Sequence, residues 1–191
     1  MGIRKDDGRG PAVPLIICAL TIPVLFLMCN PFIEMGANDD WQYARMAKAW
    51  AETGRLQYDG WGQPMVGPHA AWGMAVIKVF GFSFSALRAS MVPIGTGCAV
   101  LMYLIAWWVG LSKWTSALAS LLLTLSPLFV PLATTFMTDV SSLLLFLATA
   151  YCVMRQCGGS SDAVRGGSHL RAHDERAHER RLQSYILQPY L

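Results

Sequence analysis

Two adjacent carboxylates, Asp39 and Asp40, followed three residues later by Tyr43, are the group in this sequence best suited to chemistry. A carboxylate pair held ionised at the start of a helix can act as a general base or help hold a metal ion. A structural reading competes with this one. Asn38 or Asp39 caps the helix that follows, and the helix dipole favours the acids by about 1 kcal/mol.

Three more residues qualify, each with two readings. His69 is the only histidine outside the C-terminal tail; it is a polar tip at the membrane boundary or a ligand for metal or phosphate. Arg88 is an interfacial anchor or a substrate-binding group. Asp139 is the only carboxylate between Asp59 and the tail. An acid in such an apolar setting is a functional candidate, or the N-cap of a helix from Val140 onward.

The elements that must position these residues follow from periodicity. Tyr43, Met46, Ala47, Trp50 and Ala51 recur at helical spacing, with Gln42, Arg45, Lys48 and Glu52 on the other face. This predicts a short amphipathic helix on a membrane surface, ended by Gly54. Tyr58 to Pro64 read as a turn-rich loop. Gly67, Pro68 and His69 lead into the next apolar segment.

The surroundings are membrane-like. Hydrophobic residues make up 54% of the 191 and charged residues 14%, against about 25% charged in a soluble domain. Residues 10–33, 89–112 and 114–138 are each uncharged over the roughly 20 residues a helix needs to cross the hydrocarbon. A fourth run, 140–154, is shorter and ends at Arg155, which can snorkel. A soluble enzyme is excluded. The fold class is all-α, a polytopic integral membrane protein of four to five apolar helices with an outer loop carrying the amphipathic juxtamembrane helix.

Arg4, Lys5 and Arg9 precede the first run, whose length fits an uncleaved transmembrane helix better than a signal peptide. The positive-inside rule puts residues 1–10 in the cytoplasm, 11–155 in the membrane domain and the 34–68 loop outside. Residues 70–87 leave a choice, because Lys78 sits near their middle. If they span, there are five crossings and Asp139 lies inside; if they lie at the interface, there are four and Asp139 lies outside.

Six of the 15 basic residues lie from Arg155 onward, so the net charge of +3 is a tail feature and no nucleic-acid partner is implied. The tail, 156–191, reads as a basic low-complexity segment, with His169, His173 and His178 as metal ligands in a second reading. Cys18, Cys29, Cys98, Cys152 and Cys157 read as small hydrophobes rather than a disulfide framework.

This order of features resembles the start of a membrane glycosyltransferase of the GT-C fold, in particular the bacterial lipid A aminoarabinose transferases and protein O-mannosyltransferases. The matching pieces are a basic N-terminus and first span, a loop opening D-[DE]-x-x-Y at Asp39, Asp40 and Tyr43, and a juxtamembrane helix ending near a glycine. Gly67 to Trp72, Gly81 with Arg88, and Asp139 ahead of another apolar helix complete the likeness, which covers residues 11 to about 155. The resemblance implies transfer of a sugar from a polyprenyl-phosphate donor to a lipid, glycan or protein acceptor on the outer face of a bacterial inner membrane. It further implies Asp39 as the base and Asp40 as its catalytic neighbour, with Tyr43, His69, Arg88 and Asp139 binding substrate and a divalent metal ion as an optional cofactor. Because the pattern ends near Arg155, the sequence reads as the N-terminal, truncated part of such an enzyme. The alternatives are a small non-catalytic membrane accessory or binding protein and, disfavoured, a small transporter.

Overall fold

In the computed structural model, residues 12–29, 32–37, 39–58 and 66–156 are described. The expected cytoplasmic N-terminus, Asn38, the Asp59 to Pro64 part of the loop, Cys157 and the histidine-bearing tail lie outside them. The described residues form helices and connections, with no strand among them. The packing divides after Thr149; of the second unit, only residues 150–156 are described, and they complete a helix.

The helices are α1 (Ala12–Cys29), α2 (Asp40–Thr53), α3 (Gly67–Phe80), α4 (Phe84–Ala89), α5 (Val92–Trp108), α6 (Lys113–Thr124), α7 (Phe129–Ala133) and α8 (Thr138–Gln156). Among the described residues, three stretches are long and apolar enough to cross a membrane: Ala12–Cys29, Phe84–Trp108 and Thr138–Gln156. The second joins α4 to α5. Their outward faces are greasy: on α1, Ile16, Leu20, Val24 and Leu27 are all exposed, as expected of side chains whose solvent is lipid.

The uncharged run at 114–138 is not one helix. It divides into α6 and α7, separated by a turn at Leu125 to Leu128 that contains Pro127, a residue without the N–H a helix interior needs. The chain still returns along the bundle. Ala117 packs with Cys18 and Tyr103, Ser120 donates to the Ala99 carbonyl at 2.7 Å, Ala133 approaches Gly95, and Phe136 reaches His69. Ser116, Ala117, Ser120 and Thr124 line the buried side of α6, and small residues of this kind let helices in lipid approach closely.

Residues 70–87 also break. α3 ends at Gly81, whose φ of 80° is open to glycine at little steric cost, and Ser83 starts α4 by accepting from the Ala86 N–H at 3.2 Å. α3 packs against α2. The contact depends on Gly73, because a Cβ there would lie 2.8 Å from the Ala47 Cβ and 2.7 Å from the Phe136 ring. The core joins these layers through Ala44, Ala47, Val76, Ile77, Leu87, Met91, Phe136 and Val140.

Candidate functional site

Asp39 stands at the N-cap position of α2, yet its side chain makes no capping hydrogen bond and is exposed. The capping expectation fails for Asp39 for a local reason. Its φ and ψ of −82° and 1° depart from the extended conformation from which a cap side chain turns back onto the helix. The carboxylate is thereby left facing solvent.

Asp40 is the opposite case, with no solvent exposure. Its Oδ2 accepts from Arg88 Nε at 2.9 Å and lies 2.8 Å from Nη2, while its Oδ1 accepts from the Ala37 N–H at 2.6 Å. Arg88 is not a surface anchor: it is 3% exposed and also donates to the carbonyls of Ile33 at 2.8 Å and Met35 at 2.6 Å. One guanidinium therefore ties the start of the long Phe84–Trp108 helix to the chain entering α2. Such a fork suits arginine, whose planar donors fix several acceptors at once.

Between those two gripped carbonyls, Glu34 reaches the other way. Its carboxylate accepts from Ser83 Oγ at 2.7 Å and from the backbone N–H groups of Phe84 at 2.8 Å and Ser85 at 3.1 Å. The donors of Ser85 and Ser83, with Phe84, hold its pKa down to about 2. The sequence assigns Glu34 no role, because its partners Ser83, Phe84 and Ser85 lie about 50 positions further along the chain.

The second cluster surrounds His69, which is buried. Its Nδ1 lies 3.1 Å from Ser141 Oγ, its ring stacks on Phe136 with centroids 4.1 Å apart, and Tyr43 meets it edge-on at 5.9 Å. Burial pushes the imidazole pKa down to about 4, against the opposing influence of the Phe136 backbone and the Asp139 carboxylate. His69 is thus a neutral ring that joins α2, α3 and the first turns of α8. Asp139 is in that first turn rather than at the cap, and it is exposed on an open, apolar groove of about 170 Å³ between α6, α7 and α8. Phe136 and Ser141, which complete the cluster, carry no sequence signal of their own.

The structure therefore makes two pairings, Asp40 with Arg88 and Tyr43 with His69, while Asp139 lies exposed on the groove at the start of α8. Among the described residues no three of His, Cys, Asp and Glu converge to hold a metal, and both oxygens of Asp40 are engaged by protein donors. No residue here is assigned to a cation. Cys18 and Cys98 are buried, Cys29 and Cys152 are exposed, and all four are free thiols.

Comparison with curated proteins and with solved structures gives no match. The acidic opening of α2, its arginine partner and the histidine cluster all fall inside one matched region. Residues 32–165, more than half of the chain, match the family described as dolichyl-phosphate-mannose-protein mannosyltransferase, and the chain belongs to that family of membrane glycosyltransferases.

Proposed function

We propose that this chain carries the acceptor-activating end of a membrane glycosyltransferase that takes its sugar from a polyprenyl-phosphate donor. The observation that supports the reading is the contrast between neighbours: Asp40 is buried and locked to Arg88, while Asp39 beside it is exposed and uncapped. A base must reach the proton it removes, and of the two acids only Asp39 meets solvent.

In the proposed reaction Asp39 accepts the proton of an acceptor hydroxyl as the oxygen attacks the anomeric carbon of the donor sugar. The bond from that carbon to the phosphate oxygen breaks, the lipid phosphate leaves with the electron pair, and the configuration inverts. Asp40 and Arg88 are positioning residues that set the start of α2. Tyr43, His69 and Asp139 shape the acceptor side.

The basic cluster Arg4, Lys5 and Arg9 ahead of α1 favours a cytoplasmic N-terminus. With α1, α4–α5, the broken α6–α7 passage and α8 each traversing the bundle, Asp39, His69 and Asp139 then share the outer face of the cell membrane. The acceptor is a lipid, glycan or protein hydroxyl. The test is transfer of radiolabelled sugar from polyprenyl phosphate in membranes containing the chain, with Asp39→Asn alongside. Transfer that is lost in the variant, at equal membrane insertion, supports the reading; transfer retained by Asp39→Asn overturns it.

A further inference from the structure

The apolar groove that carries Asp139 lies where the turn between α6 and α7 faces the start of α8. Its volume is about 170 Å³, and Leu123, Leu132 and Leu143 border it, with the buried Phe129 and Val140 beneath. Leu128 on its rim is 74% exposed, and Leu122 and Leu125 nearby are exposed as well. Such a surface has acyl chains as its solvent.

One charge stands on this groove. Only Ser126 and Asp139 in its lining are polar, and Ser126 Oγ already accepts from the Phe129 N–H at 3.1 Å. Asp139 is exposed and makes no hydrogen bond or ion pair among the described residues. His69, whose ring feels the Asp139 carboxylate, is buried and neutral with its pKa near 4, so it brings no positive charge.

The lining is also graded along α8. Asp139 and Val140 stand in the first turn, at one end of a spanning helix, and Leu143 lies one turn further into the span. A charged end at the boundary and an apolar end deeper is the order in which a phospholipid presents its headgroup and its chains. A helix, about 10–12 Å across with its side chains, is too thick for this volume; a single acyl chain is not. An ionisable group in a membrane helix takes a partner. In apolar surroundings a carboxylate favours an ammonium that can donate to it and repels an anion more strongly than it would in water.

We propose that the groove between α6, α7 and α8 binds one phospholipid with a primary-ammonium headgroup. Its ammonium donates to the Asp139 carboxylate, and one acyl chain lies along Leu132, Leu123 and Leu143. The bound headgroup becomes part of the surface that Asp139 shapes, and the site stands whether or not the chain transfers sugar.

The test is native mass spectrometry of the full chain, released from vesicles holding phosphatidylethanolamine, phosphatidylcholine and phosphatidylglycerol in equal amounts. One phosphatidylethanolamine is expected to stay bound, several-fold enriched over either competitor. Asp139→Asn is expected to abolish the enrichment and Asp139→Lys to turn it towards phosphatidylglycerol. Leu143→Trp, which fills the groove, is expected to release the lipid, whereas Glu52→Gln, at an exposed carboxylate on α2, leaves it in place. In a second arm, phosphatidylethanolamine with a diazirine in its acyl chain is expected to crosslink within residues 123–143. Equal retention of the three lipids, enrichment that survives Asp139→Asn, crosslinks only outside 123–143, or a lipid-free dimer joined through this face would each overturn the proposal.

Discussion

Arg88 and Asp40, 48 positions apart in the chain, meet at 2.8 Å with 3% and 0% of their side chains exposed. Two charges removed this far from water are held only while each has the other. The pair therefore fastens the start of α2 to α4, and it sets the two adjacent aspartates in unlike surroundings, Asp40 buried and Asp39 exposed.

The first expected outcome concerns Asp39. In Asp39→Asn, sugar transfer is expected to fall by about 10²-fold or more, the range of a lost general base. Thermal stability in detergent is expected to stay within about 0.5 kcal/mol, since the side chain is exposed. Activity and melting measured on the same preparation check both halves.

Breaking the fastener has the opposite signature. Asp40→Asn or Arg88→Gln alone leaves an uncompensated buried charge and is expected to cost about 3–5 kcal/mol. The double variant is expected to lose less than the sum. A double-mutant cycle by denaturant or thermal unfolding measures that coupling.

Gly73 gives a packing test. Gly73→Leu forces a side chain between Ala47 and Phe136, where a Cβ alone already lies at 2.7–2.8 Å from its neighbours. A loss of about 1–3 kcal/mol is expected, together with altered labelling of cysteines on α3 as its contact with α2 opens.

Protonation of His69 sets a pH window. The imidazole pKa is near 6.5 in an unfolded chain and about 4 in the fold, so between these values the unfolded state binds more protons. Stability is full above pH 6.5 and declines as the pH falls towards 4. In His69→Gln the melting temperature is expected to lose this slope.

Glu34 works in a lower window. Its pKa falls from 4.5 to about 2 on folding, so its contribution is present above pH 4.5 and is lost as the pH drops towards 2. Glu34→Gln is expected to flatten the melting curve there while leaving the His69 window unchanged.

Much of this arrangement is legible in the sequence. The Tyr43, Met46, Ala47 and Trp50 spacing marks α2, and Gly54 ends it in the left-handed conformation at φ 71°. The uncharged lengths mark α1, α5 and α8. What the sequence conceals has physical causes. Pro127 divides a run that composition alone reads as continuous, and Gly81 divides another. The partnership of Asp40 with Arg88 has no local periodicity to announce it. Nor does the stacking of His69 on Phe136, which depends on α3 folding back against α2 and on the return of α6–α7.

The alternation at residues 33–35 has one more consequence. Ile33 and Met35 turn their carbonyls to Arg88, while Glu34 between them turns its carboxylate to Ser83, Phe84 and Ser85. The segment is laced to one neighbouring helix by opposite edges of a three-residue strip. Its length is consequently constrained: a residue inserted or deleted between Ile33 and Asp40 would carry the Ile33 and Met35 carbonyls, or the Asp40 carboxylate, away from Arg88. Gene variants in this stretch should therefore tolerate changes of side chain at Ile33 and Met35, whose carbonyls are the parts in use, far better than any change of spacing.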